Sequence, residues 1–353
     1  MSKRKLNRRQ QWRIEKIQAE KAARADKKAS KVESDLTTGE LSPEQKGRVV
    51  AHFGQTVEIE PLSDDDSTII PNPELRQRCF VRANIDSLVT GDIVVWRAGV
   101  DDKGVVEARL ERQSVLQRPD NYGQLKPVAA NIDRIVIVVA TEPVPHVNLI
   151  DRYLVASETL DIQPTILFNK SDLIDDSNRQ DIERMIALYR GLGYEVLSTS
   201  ANDIEDCETH LLNWLSDHTS VFVGQSGVGK SSLIRSILGD QSIRVGPLSE
   251  TTRKGTHTTT TARLFHLPKG GKLVDSPGIR EFGLWHIDEH ELLEGFIEFR
   301  PFLGHCKFRD CQHKKEPGCA ILEAHENGDI TDGRMQSYER IKATLGDIET
   351  FNA

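Results

Sequence analysis

The residues with the clearest chemistry form a glycine-rich octapeptide, Gly224-Gln225-Ser226-Gly227-Val228-Gly229-Lys230-Ser231. It sits between an apolar run, Ser220–Val223, and an amphipathic stretch, Ser231–Leu238. A loop of this composition between a strand and a helix wraps phosphates with its backbone N–H groups, and the helix N-terminus adds its positive dipole. Lys230 is spaced to reach the β- and γ-phosphates, Ser231 to give a hydroxyl to Mg²⁺, and Ser232 follows in the same turn. The loop alone does not choose between adenine and guanine.

Asn169-Lys170-Ser171-Asp172 makes that choice. A carboxylate accepts two hydrogen bonds from the N1–H and exocyclic amine of guanine, which adenine cannot offer. Asp172 takes that role, with Asn169 on the base edge and loop contacts and the Lys170 stem over the base plane. Ser200-Ala201 follows a further strand, Glu195–Leu197, as does a loop that closes over guanine. Asp275-Ser276-Pro277-Gly278 follows the strand Lys272–Val274. Asp275 is expected to hold Mg²⁺ through water and the Gly278 amide to sense the γ-phosphate.

Between these lies Gly255-Thr256-His257-Thr258-Thr259-Thr260, in which Thr259, then Thr258, is the candidate to cap Mg²⁺ and γ-phosphate in a switch loop. A water-orienting Gln directly after DxxG is replaced by Ile279, which cannot orient water. Slow intrinsic hydrolysis follows, with His257 as the local candidate for the missing group beside Lys230 and Thr259. The guanine tetrapeptide precedes the P-loop, the reverse of the ordinary order, so the chain reads as a circularly permuted GTPase. A P-loop ATPase or kinase is disfavoured by Asp172. An RNA-binding factor that carries GTP only as a ligand is the competing reading, and Ile279 is what supports it.

Cys306-x4-Cys311-x-His313-x5-Cys319 supplies four ligands of the types a tetrahedral structural Zn²⁺ takes, with no open position for catalysis. Lys307, Arg309, Lys314 and Lys315 around it offset thiolate charge and suit an RNA-facing surface. Five cysteines in 353 residues do not make a disulfide scaffold, and Cys79 and Cys207 read as small buried apolar residues.

Positioning these loops takes several domains. Residues 1–31 carry twelve Lys/Arg against Glu15, Glu20 and Asp26, or +9, which leaves −17 on the rest of a chain whose formal charge is −8. That start reads as a polyanion-binding tail, residues 1–42, without fixed structure. Short β-rich runs then predict a five-stranded OB-fold barrel over 43–117, with an SH3-like barrel as the alternative. Arg76, Arg78, Arg82, Arg97, Arg109 and Arg112 give it basic decoration. Pro119 to Pro127 reads as a linker. Alternating strands and helices, led by the apolar run 132–140, predict a doubly wound α/β P-loop domain over 118–288. A small helical zinc-binding domain over 289–353 completes the multidomain chain. No apolar run is long enough to span a membrane and no signal peptide is present, so a cytoplasmic monomer is expected.

With these residues assembled, the chain resembles the bacterial ribosome small-subunit-dependent GTPase A family, also called RsgA or YjeQ. The resemblance rests on NKSD at 169–172, GQSGVGKSS at 224–232, HTTT at 257–260, DSPGIREFGLW at 275–285 and the cysteine–histidine knuckle. It implies a factor in late maturation of the 30S ribosomal subunit that binds 16S rRNA and hydrolyses GTP to GDP when the subunit stimulates it, then dissociates. Because DxxG is followed almost directly by the zinc unit, that unit is expected to change orientation between the GTP and GDP states.

Overall fold

The computed structural model describes residues 41–63, 73–85, 87–99, 103–119, 124–239, 262–275 and 287–350, and for 346–350 the backbone only. The chain divides into two compact units. One comprises the chain up to Val49, Phe53–Leu88 and Ile93–Leu110; the other runs from Glu111 onward and takes in Val50–His52 and Val89–Asp92.

The first unit is a barrel of β1 (Gln45–His52), β2 (Thr56–Pro61), β3 (Gln77–Val81), β4 (Ile93–Arg97) and β5 (Lys103–Arg109). The strands close in the order β1-β2-β3-β5-β4 and back to β1, with β3 and β5 parallel and a bulge at Val95/Trp96. That parallel pairing and closure are the OB arrangement rather than an SH3-like one. Alternate residues of each strand point inward, so Val49, Val57, Ile59, Val94, Trp96 and Val106 fill the interior. Trp96 fits because residue 47 is glycine: a Cβ there would lie 2.4 Å from the indole nitrogen, which donates to Lys46 O.

The basic decoration is largely consumed by internal pairing. Arg48 and Arg76 both meet the buried Glu60, Arg82 pairs with Glu107, and Arg97 donates to Ser42 O. Arg78 lies 4.5 Å over the Phe53 ring. Arg112, in the second unit, forks onto the fully buried Asp92. The arginines read as basic decoration are therefore mostly engaged by carboxylates, a carbonyl and a ring at matching registers.

The second unit opens with a hairpin, β6 (Val115–Pro119) and β7 (Leu125–Ala130). The linker expected at 119–127 is thus strand at both ends, with 120–123 outside the described residues. Prolines fit a two-stranded ribbon because each strand has one side free of ladder hydrogen bonds. Then follow β8 (Arg134–Ala140), α1 (Val147–Thr159), β9 (Gln163–Asn169), α2 (Arg179–Gly191) and β10 (Glu195–Ser198). A helical stretch α3 (204–215) has a π-helical turn at Cys207–Leu211. It leads to β11 (Thr219–Val223), α4 (Lys230–Leu238), β12 (Arg263–His266) and β13 (Lys272–Asp275).

The sheet order within this unit is β10-β9-β8-β11-β13-β12, parallel except for β12. β8 shows why the apolar run 132–140 is continuous. Ile135, Ile137 and Val139 join one core, while Val136, Val138 and Ala140 join the core on the opposite face. All strand C-termini except that of β12 point to one edge, which gathers the loops after β8, β9, β10 and β11 and the end of β13.

The chain ends with α5 (Glu289–Gly295), a 3₁₀ segment (Ile297–Phe302), α6 (Ala320–Glu326) and α7 (Asp332–Thr350). Asp288 and Glu291 form a capping box at the start of α5. These helices share one core with α1. Gly295 abuts Val155, where a Cβ would sit 2.5 Å from Cγ1. Phe296, Phe299 and Tyr338 stack mutually at 5.0–5.9 Å between centroids. At the centre Arg334, fully buried on α7, donates to Asp151 on α1 and to Glu298, with its guanidinium 4.4 Å over Phe296. Tyr189 of α2 donates to the same Asp151 at 2.8 Å. The change of orientation expected of the zinc unit between nucleotide states would act on this shared core.

Candidate nucleotide site and metal centre

β11 is buried along its length and delivers the chain to Gly224. Gly224, Gly227 and Gly229 have φ of 137°, 87° and 96°, and two of them permit close approach as well. A Cβ on Gly224 would lie 2.2 Å from Val138 O, and one on Gly229 2.3 Å from Asn169 Nδ2. Lys230 opens α4, and its ammonium is held by Gly224 O at 2.6 Å and Gln225 O at 2.7 Å. The positive charge is thereby fixed at the loop's inner rim. Ser231 and Ser232 complete the first helical turn, half-buried and exposed, while Gln225 and Ser226 line the loop's open side and Val228 turns into the core.

Asn169, the last residue of β9, is fully buried and joins three loops. Its Nδ2 donates to Val228 O at 2.8 Å, and its Oδ1 accepts from Ala201 N at 3.0 Å. Lys170 adopts a left-handed conformation, φ 58°, and its ammonium reaches Glu142 O at 2.6 Å and Gly227 O at 2.9 Å. The asparagine and lysine of the tetrapeptide therefore lock the base-reading loop to the phosphate loop. Asp172 is exposed, as a group that must meet a ligand should be. Ser200 Oγ donates to its Oδ1 and Asn202 Nδ2 to its Oδ2 at 3.1 Å. The Ser200 hydroxyl foremost holds the Asp172 carboxyl below its ordinary range.

Several of these partners carry no motif. Thr199 Oγ1 donates to Asp206, Cys207 Sγ to Ser200 O at 3.4 Å, and Ser236 Oγ to Ala201 O at 2.9 Å. Cys207 is buried as expected, but it also fastens the guanine loop to the π-helical turn. The short polar run Thr199-Ser200-Ala201-Asn202-Asp203 is the sequence signal that points to them. Asp275 ends β13, and that strand pairs in parallel with β11, which places the residue on the P-loop edge of the sheet. His257, Thr258, Thr259, Gly278 and Ile279 lie outside the described residues.

Cys306, Cys311, His313 and Cys319 converge, their ligand atoms all within 4.8 Å of one another. His313, with φ 58°, turns the chain back, and Cys319 caps α6. Cys306 Sγ lies 3.6 Å from His313 Nδ1 and 3.9 Å from Cys319 Sγ, and His313 Nδ1 lies 3.3 Å from Cys319 Sγ. Metal–sulfur bonds of about 2.3 Å and metal–nitrogen bonds of about 2.0 Å give tetrahedral edges of about 3.8 and 3.5 Å. The donor set can hold a metal ion. Burial pushes the Cys319 thiol up to about 12, so a bound cation is what would keep it a thiolate. Burial, then Lys342, lowers His313, leaving the neutral ring a metal needs. Lys307, Arg309, Lys314 and Lys315 are exposed around the knuckle.

The sequence profile of the RsgA GTPase family matches residues 109–285. A protein of Hahella chejuensis called small ribosomal subunit biogenesis GTPase RsgA is 57% identical over 98% of this chain and 97% of its own length. One of the same name from Marinobacter nauticus is 58% identical with the same coverage. The crystal structure of YjeQ from Thermotoga maritima, 30% identical, superposes with a TM-score of 0.66 over 86% of this chain and 99% of that one. That of YloQ, a circularly permuted GTPase, is also 30% identical and gives 0.67 over 86% and 96%. With guanine loop before phosphate loop, a barrel ahead of both and a cysteine–histidine knuckle behind, the chain belongs to the RsgA family of circularly permuted GTPases, GTP-hydrolysing enzymes of ribosome biogenesis.

Proposed function

We propose that the chain binds the 30S subunit through 16S rRNA late in its maturation, hydrolyses GTP to GDP and phosphate when the subunit stimulates it, and times its own release by that step. The observation that carries this is the junction at Asn169, where one buried side chain ties the guanine-reading loops to the phosphate loop. The names of its full-length relatives supply the small subunit as target.

Lys230 would meet the β- and γ-phosphates, and Asp172 would read guanine with Ser200 and Ala201 closing the loop. Ser231, Thr259 and Asp275 would hold Mg²⁺, and Gly278 would sense the γ-phosphate. His257 would act on the attacking water, since Ile279 cannot. The knuckle would hold one structural Zn²⁺: three thiolates and an imidazole are soft and borderline donors, and the edges above fit its bond lengths. The division into a basic tail (1–42), OB-fold (43–117), GTPase (118–288) and zinc domain (289–353) joins three nucleic-acid-binding elements to one switch in a single chain. Among the described residues no helix is long and apolar enough to cross a membrane, which suits a cytoplasmic monomer working on ribosomal subunits.

GTP turnover should be slow for the protein alone, rise strongly with purified small subunits and stay unchanged with large ones. Binding to small subunits without acceleration would leave GTP as a mere ligand. His257→Ala should cut the stimulated rate by about 10²-fold or more while GDP affinity holds; full stimulated turnover would remove His257 from the chemistry. Stripping the metal with a chelator should release one Zn²⁺ per chain and unfold the C-terminal helices, read as lost helical circular dichroism. A metal-free protein with unchanged dichroism and melting would end the structural role.

A further inference from the structure

The guanine-reading carboxylate is gripped at both oxygens. Ser200 Oγ donates to Asp172 Oδ1, Asn202 Nδ2 donates to Oδ2 at 3.1 Å, and the Asn202 backbone N–H donates to Ser200 Oγ at 3.2 Å. The three residues close a ring, and behind it Thr199 and Cys207 tie the loop to the π-helical turn, a distortion that gathers at functional sites. Asp172 itself is exposed within a short 3₁₀ turn, so packing does not fix its carboxylate plane.

We propose that Asn202 is a specificity-determining positioning residue, whose side-chain amide fixes the Asp172 carboxylate plane so that both oxygens accept from guanine at once. The inference rests on the guanine-reading role proposed for Asp172. Each carboxylate oxygen has two acceptor sites, so one donor from the protein at each still leaves one for the base. Without the Asn202 amide, Ser200 is the side chain that still holds the carboxylate, at Oδ1, and the carboxylate pivots about that bond. It then satisfies one base donor well, but not two. A base with a single donor facing Asp172 is indifferent to the pivot, whereas guanine, with two, is not.

Inosine diphosphate lacks the exocyclic amine and supplies that single-donor probe. The full chain is titrated with GDP, inosine diphosphate and ADP. In the wild type GDP should exceed ADP by orders of magnitude, because a site built around a polar pair rejects a base that leaves it unpaired. Asn202→Ala should lower the GDP-to-inosine-diphosphate affinity ratio by about five- to tenfold, the worth of one charge-assisted hydrogen bond weakened through its neighbour. Asn202→Gln, which keeps the amide, should restore most of it, and melting should not move because the side chain is exposed. An unchanged ratio in Asn202→Ala overturns the inference alone. So does tighter GDP binding, which would make Asn202 a competitor that guanine displaces. A wild type that fails to separate GDP from ADP overturns the role of Asp172 and this inference with it.

Discussion

Arg334→Met should destabilise the second unit by about 3–5 kcal/mol, measured by denaturant unfolding, although it lies in neither loop that reads the nucleotide. Arg334 and Asp151 are both fully buried, and Glu298 is nearly so. Removing the cation strands two carboxylates inside a core that already includes Phe296, Phe299 and Tyr338. Burial pushes the Asp151 carboxyl up, and Arg334, Ser337 and Tyr189 pull it back down. Without Arg334 that restraint is gone and the folded-state pKa climbs further above the unfolded value of about 4. A folded state that binds the proton more tightly than the unfolded one loses stability as pH rises between the two values. The deficit of the variant should therefore shrink on acidification through that window, where protonated Asp151 needs no partner. Converting all three residues to apolar ones of similar volume should recover most of the loss, since desolvation consumes much of what the intact ion group gains. A single variant as stable as wild type would show that the triad is solvated in solution.

Asp172→Asn should weaken GDP binding by about 10²- to 10⁴-fold, because two hydrogen bonds to a charged acceptor contribute about 1.5–3 kcal/mol each. The same change should create affinity for xanthosine diphosphate, whose C2 carbonyl accepts from the new amide while its N1–H still finds an oxygen. Calorimetric titration with both nucleotides reads the exchange directly. Retained GDP affinity would move base recognition away from Asp172. Thermal stability should change little, as the side chain is exposed and its partners are polar.

Local rules carried much of this architecture. The Gly-Lys-Ser loop was legible because its strand and helix neighbours have opposite periodicities, and β8 because burial on both faces leaves no polar position in its interior. The barrel was legible from short β-rich runs, though only the parallel β3–β5 pairing distinguishes its topology. What local rules miss is partnership at a distance. Glu60 meets Arg48 and Arg76 across strands, and no spacing announces that those cations are already paired. Arg334 looks like one more charge on a charged helix until Asp151 is found 183 residues earlier. Asn202 follows a recognisable loop, yet its grip on Asp172 depends on two strand ends brought side by side by the β9–β10 pairing. Prolines at 119 and 127 were misleading in the opposite way, since breaker residues are tolerated on a ribbon edge.

The packing of α1 against the last helices also bears on how the chain is made. Ile150, Tyr153, Leu154 and Val155 belong to a core that includes residues from Leu292 to Ile341. A ribosome adding about 5–20 residues per second needs roughly 10–40 s to pass from Asp151 to Arg334. For that interval the nascent chain carries a finished apolar helix and an uncompensated acid whose covering has not been translated. Long-range closure of this kind slows folding and invites association in the meantime. Circular permutation therefore gives this protein a late sealing step in synthesis, and nonsense mutations between Cys319 and Arg334 should yield aggregation rather than a shortened working enzyme.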